Sequence, residues 1–255
     1  MTRRVALLRR PSPLLADGLV THVDRRPVDP ALALDQWTAY AAALTAHGWT
    51  TLEVPPLDAC PDGVFVEDAV VVYGDLAVLL RSGAPSRRPE TAGLADALEP
   101  FGYLVATVAD PATADGGDVL KHGDRVWIGA SGRTNAAGVA RLTDLLAARG
   151  ATVSAVPVSR VLHLKSAVTA LPDGTILGHP PLVDDPAAWG TAFLPVPEPA
   201  GAHVVVLDER TVLLSAAAPR TAELLAGRGL AVVPVDISEF EKREGSVTCL
   251  SVRLR

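Results

Sequence analysis

Two side chains in this sequence could share a covalent reaction, Cys249 in "SVTCLS" and His163 in "HLKSAVT". A thiolate attacks an electron-poor carbon, and an imidazole delivers and recovers the proton that such an attack displaces. Spacing alone leaves Cys249 open between nucleophile and buried core thiol, the commoner fate of a free cysteine. Period-two alternation predicts a last strand with Val247, Cys249 and Ser251 on one face. His163, in "RVLHLKSAV", reads as a histidine inside an apolar strand, where a satisfied core residue is the ordinary outcome. Cys60, just before proline in "LDACPDG", reads as a loop thiol.

Acids stand in equally unusual places. Glu67 and Asp68 in "FVED" interrupt an otherwise apolar run, and burying such charges is costly unless they are paired. Asp115 and Asp118 in "DGGD" flank two glycines, which lets backbone approach a ligand closely; a solvated Asp-Gly turn explains the word as well. None of these words has the His/Cys spacing of a zinc site or the alternating oxygen ligands of a calcium loop. The glycine words lack a phosphate cradle. No metal and no cofactor is expected.

The elements that must position these groups repeat along the chain. "EDAVVVYGDLAVLLRSGAPSRRPETAGLADALEPFGYLVATV" reads as strand, turn, strand, helix, strand, and the same grammar returns around the turns "HGD" and "DER". A helix over "ALDQWTAYAAALTAHG" followed by "WTTLEVP", and a hairpin around "PDG", bring the number of units to about five. Glycines after "H", "R" and "R" close three of the helices, and "APR" opens another with proline. The proline cluster at 193–201 reads as a loop between repeats, so one α/β domain over 1–255 is expected. Each repeat opens on a polar word, and quasi-symmetric units bring equivalent words toward one axis.

Composition sets the outer limits. At 255 residues, 49% hydrophobic and 20% charged, the chain can bury a full core. A formal charge of −6 with no basic stripe argues against nucleic acid and suits an acidic pocket for a cationic small molecule. The apolar run "VALL" is too short for a secretory leader or a membrane span, and two cysteines make no disulfide framework. A cytoplasmic protein, monomer or homodimer, is expected.

In order and spacing, "DGL", "PDGVFVED", "RSGAPSRR", "DGGDVL", "IGASGRTN", "HLKSAVT" and "SVTCLS" resemble the dimethylarginine dimethylaminohydrolases of the guanidine-modifying (pentein) superfamily. The resemblance spans nearly the whole chain. It implies a five-bladed α/β propeller with pseudo-fivefold symmetry. It also implies hydrolysis of Nω-methylated arginines to citrulline and methylamine or dimethylamine through a cysteine thiouronium. Residue by residue, it makes Cys249 the nucleophile, His163 the proton carrier and Asp115 the acid that orients the histidine. Glu67 and Asp68 become substrate-binding acids, Asp62 a further polar contact, and Arg87 and Arg133 the grip on the α-carboxylate. Leu19 falls on a flexible lid, and Arg243 where the family turns a backbone carbonyl toward the α-amino group. Arginine deiminases carry an extra helical domain for which this chain has no room. Agmatine deiminases act on a substrate without an α-carboxylate. A hydrolase or deiminase of another Nω-substituted arginine, and a noncatalytic binder of arginine analogues, are the alternatives.

Overall fold

A computed structural model describes residues 4–255, so the first three residues of the basic start lie outside it. Among the described residues, fifteen short strands form five three-stranded sheets, the blades of a five-bladed α/β propeller. β1 (Val5–Leu8) pairs parallel with β2 (Thr50–Glu53). The second blade is β3 (Val70–Tyr73), β4 (Leu76–Leu79) and β5 (Leu104–Thr107). The third is β6 (Val119–His122), β7 (Arg125–Ala130) and β8 (Thr152–Pro157). The fourth is β9 (Val168–Ala170), β10 (Ile176–Gly178) and β11 (Phe193–Pro195), and the fifth β12 (Val204–Val206), β13 (Thr211–Ser215) and β14 (Ala231–Val235). In each of these four the first two strands form an antiparallel hairpin and the third returns parallel to the second. β15 (Val252–Leu254) supplies the antiparallel first strand of the opening blade, pairing with β1, so the two ends of the chain close the ring.

Helices make the parallel crossovers. α1 (Pro30–Ala46) starts at proline, with Asp29 accepting from the Ala31 and Leu32 amides at 2.9 and 3.1 Å. α2 (Leu94–Leu98) and α3 (Ala136–Ala147) follow, the latter capped by Asn135 through the Gly138 amide at 2.8 Å. After a single turn, α4 (Leu164–Ala167), comes α5 (Pro219–Gly227). Gly48, Gly150 and Gly229, at φ of +80°, +87° and +86°, end α1, α3 and α5 in the left-handed region that a Cβ disfavours. The core is divided among the blades. Tyr40 and Leu44 of α1 meet Leu213 and Val235 of the fifth blade, while Leu142 and Leu146 of α3 pack on Val126 and Ile128. Among the described residues, no helix is long and apolar enough to cross a membrane.

Three local expectations are corrected. Cys249 is not on a strand: its amide bonds back to the Ser246 carbonyl at 3.1 Å, and this turn breaks the two-residue period before β15 begins. Leu250 consequently shares the core cluster of Val247 and Cys249 instead of facing away from it. His163 is likewise not within a strand but caps α4 in extended conformation, because the Asp118 carboxylate takes the Leu164 amide at 2.9 Å. The proline cluster is more than a loop, since Phe193–Pro195 is the third strand of the fourth blade. In that blade the crossover "HPPLVDDPAAWGTA" makes only 3-10 turns, its three prolines being poor helix interior residues.

Candidate active site

The polar words that precede the first strands meet at one end of the propeller. Before β3, Val66–Ala69 forms a 3-10 turn bearing Glu67 and Asp68; before β6, Gly116–Asp118 does the same behind Asp115. His163 and α4 precede β9, and the Ser246–Cys249 turn precedes β15. Before β12 the corresponding turn, Pro199–Ala202, brings no ionisable group, so four of the five blades supply the chemistry. Leu19, Asp62, Asp68, Arg87, Arg133, His163, Arg243 and Cys249 line one small pocket together. Its volume of about 10 Å³ has room for about one water.

Close approach of the blades depends on the "GG" of "DGGD". A Cβ on Gly117 would sit 2.5 Å from His163 Nδ1 and 2.8 Å from an Asp68 oxygen, and one on Gly116 would collide with the Glu67 carbonyl. With no side chain there, the Gly117 amide donates to Asp68 at 2.9 Å and the imidazole lies over the glycine.

Both ring nitrogens of His163 face acids: Nε2 lies 3.2 Å from Asp115 and Nδ1 3.7 Å from Asp68. Burial works against the imidazolium, but Asp68, Asp118 and the hydrogen-bonded Asp115 outweigh it and raise His163 to about 9. Burial would also raise Asp68; His163 and Arg87 overcome it and hold that carboxyl below its usual range. Cys249 is pushed the other way. Burial first, then the charges of Glu67 and Asp68, raise its thiol to about 11 against the hydroxyl of Ser246, 3.3 Å from the sulfur.

The arginines differ in how far they are committed. Every guanidinium nitrogen of Arg87 already donates: Nη1 to Asp68 at 2.8 Å, Nε to Glu90 at 3.0 Å, and Nη2 to Glu90 at 2.8 Å with the Asp62 and Phe65 carbonyls at 3.4 Å. Arg133 gives Nη1 to Asp115 at 3.2 Å. Arg243 binds the Ala16 and Arg26 carbonyls through Nη2, at 2.7 and 3.1 Å, while its buried Nε and Nη1 have no hydrogen-bond partner.

Asp62 accepts the Leu19 amide at 3.0 Å. Glu67 faces partly elsewhere. It is absent from the residues lining this pocket; one oxygen meets Lys165 at 2.6 Å, and the other is buried without a partner. Asp115, fully buried, stands behind His163 instead of lining the pocket.

Several contributors escaped the sequence reading. Phe65, Leu162, Glu244 and Gly245 also line the pocket. Glu244, at φ +60°, accepts the Thr21 amide at 3.0 Å and the His22 amide, tying the segment after Leu19 to the other end of the chain. Asp118 takes the hydroxyls of Ser131 and Thr134, both at 2.6 Å, besides the Leu164 amide. Its place in "DGGD" was visible, but its role behind the histidine loop was not. Asp68, Asp115 and His163 also bring possible metal-ligating atoms within 4.8 Å of one another, yet Arg87 and Arg133 already pair with the two carboxylates.

No family model matches the chain. It is 62% identical over 255 residues to the N(G),N(G)-dimethylarginine dimethylaminohydrolase of Streptomyces coelicolor, covering 100% of this chain and 98% of that protein. The enzyme of that name from Pseudomonas aeruginosa is 36% identical over 251 residues, covering 97% and 98%. A solved structure of the Pseudomonas enzyme, a cysteine-to-serine mutant complexed with citrulline, superposes with a TM-score of 0.92 at 33% identity over 99% of this chain and 100% of that one.

Proposed function

The chain belongs to the dimethylarginine dimethylaminohydrolase family, and we propose how its own residues divide the hydrolysis of Nω-methylated arginines to citrulline and methylamine or dimethylamine. The observation that supports this reading most directly is the meeting of Cys249, His163 and Asp68 in one buried pocket lined also by Arg133 and Arg243.

Asp68 and the partnerless oxygen of Glu67 hold the N–H edges of the guanidinium in short charge-assisted bonds, fixing its plane against the sulfur. Arg87 and Arg133 face the α-carboxylate, with the partnerless edge of Arg243 beside them. The Arg243 carbonyl faces the α-amino group, and Leu19, tied to Asp62, closes the lid. These acids also govern the nucleophile. Without a cation between them, Glu67 and Asp68 keep the thiol protonated; a bound guanidinium cancels that field and favours the thiolate.

The thiolate adds to the guanidinium carbon to form a sulfur–carbon bond. His163, positioned by Asp115, gives its proton to the departing methylamine or dimethylamine as the carbon–nitrogen bond breaks. Neutral His163 then takes a proton from water, whose oxygen attacks the S-alkylthiouronium carbon. The sulfur–carbon bond breaks as the adduct's hydroxyl loses its proton to solvent, releasing citrulline and the Cys249 thiolate, and His163 again holds its proton.

Incubation with asymmetric dimethylarginine, following citrulline and dimethylamine together, tests the assignment. Equimolar release that falls about 10⁴–10⁶-fold in Cys249→Ser is expected. Tight binding without turnover in the intact protein would instead identify a noncatalytic binder.

A further inference from the structure

The first strands of the blades run from the Cys249 pocket to hairpin turns at the other end of the propeller, and those turns surround a second, larger hollow of about 650 Å³. Gly74, Gly123, Pro172 and Asp208 mark its rim. Glu67 stands at the divide: it lines the hollow, and its amide donates to the Cys249 carbonyl at 3.3 Å.

The hollow is rich in cations. Arg4, Lys121, Lys165, Arg253 and Arg255 line it, against Glu67, Asp208 and Glu209. Lys165 and Arg253 share one oxygen of Glu67, at 2.6 and 3.8 Å. Among the described residues, no carboxylate is ion-paired with Lys121 or Arg255. Lys121 donates to the Val72 carbonyl, and Arg255 to the Val206 carbonyl with its guanidinium 5.3 Å from the centre of the Trp49 ring. Neutral carbonyls and an aromatic face orient these cations without cancelling their charge. Desolvation, followed by repulsion from Lys165 and Arg253, pulls Lys121 down to about 7 in the empty hollow, and an anion seated beside it would favour the charged amine again. Like charges gathered around a solvent-filled hollow focus its field on mobile anions.

We propose that this hollow is an anion-binding site, taking a compact multivalent oxyanion, a phosphate or a small polycarboxylate, between Lys121, Arg253 and Arg255. The donor set suits that class. Two arginines offer planar N–H forks for oxyanion edges, and a lysine adds a point charge on a flexible stem. The volume exceeds that of inorganic phosphate and admits a tricarboxylate. The site stands apart from the methylarginine pocket, so it is testable whether or not that pocket turns over.

Calorimetric titration of the full chain with inorganic phosphate and with citrate, at constant ionic strength and with chloride as the monovalent control, provides the test. Saturable binding of at least one multivalent anion is expected, weakened at least about tenfold in Lys121→Gln and in Arg255→Met. Phosphate binding alone would assign the compact anion, citrate alone the polycarboxylate, and both the shared oxyanion chemistry. No saturable heat with either, or equal affinity in the wild type and in Lys121→Gln, overturns the proposal. Lys121 is exposed to the hollow, so its variant is expected to fold even if the Arg255 variant does not.

Discussion

At the Cys249 end of the propeller nearly every charge is matched, whereas at the Lys121 end several cations rest on neutral groups. In front, Asp68 is held by Arg87 and the Gly117 amide, Asp115 by Arg133 and the Gly83 amide, and His163 lies between the two acids. Behind, Lys121 and Arg255 have backbone carbonyls for partners. A covalent step needs groups fixed before substrate arrives, and buried ions tolerate that fixation only when their remaining hydrogen bonds are made. A site open to mobile ions needs no such closure. The same ring of blades thus builds a rigid, charge-balanced pocket at one end and a cation-rich hollow at the other.

The largest effect on this contrast is expected from unbalancing the front. Asp115→Asn removes the charge at His163 Nε2 while keeping a similar shape, and should lower kcat for dimethylarginine by about 10²–10⁴-fold. NMR titration of the imidazole should show its midpoint falling from the raised value toward that of an ordinary histidine. An unchanged midpoint would mean that Asp115 does not orient the ring.

A smaller loss sharpens the picture at the substrate end of the pocket. Arg133→Met should raise KM for dimethylarginine by about 10–100-fold, the cost of one charged hydrogen-bonding partner. It should matter far less for a methylated agmatine, which has no carboxylate to lose. Equal penalties for the two substrates would remove Arg133 from the carboxylate end and leave it only as the partner of Asp115.

Much of this arrangement was legible in the letters because it is local. Hairpin words and glycine-ended helices fix the blades through turn geometry, and the structure keeps nearly every one of them. Strand periodicity failed at Cys249 and His163 for a physical reason: each sits where a turn prepares the next first strand, and the turn's hydrogen bonds override alternation. The side chains of Glu244 and Arg243 gave no local signal, since the groups they bond, Thr21 and Ala16, lie more than two hundred residues earlier in the chain. The cation-rich hollow was equally hidden. Its lysines and arginines are scattered through strands and turns of different blades, and only closure of the ring gathers them.

The smallest expected effect is also the one that compares the two ends directly. Folding raises His163 from 6.5 to about 9, so the stability it contributes is fully present below pH 6.5 and is lost as pH rises through about 9. Folding lowers Lys121 from 10.5 to about 7, which reverses the sign: its charged form is disfavoured in the folded state, and stability is regained between pH 7 and 10.5. The Tm of the wild type minus that of His163→Gln should therefore fall between pH 6.5 and 9, by roughly 2–4 °C for each kcal/mol lost. The corresponding difference against Lys121→Gln should rise above pH 7, and by less, because Lys121 keeps surface open to the solvent of the hollow. Asp68, Asp115 and Asp118 face His163 in the wild type, with Cys249 lining the same pocket, and all remain in its variant, so taking the difference isolates the imidazole and its coupling to them. Parallel curves at both ends would show that the charge asymmetry between pocket and hollow does not reach the folding equilibrium.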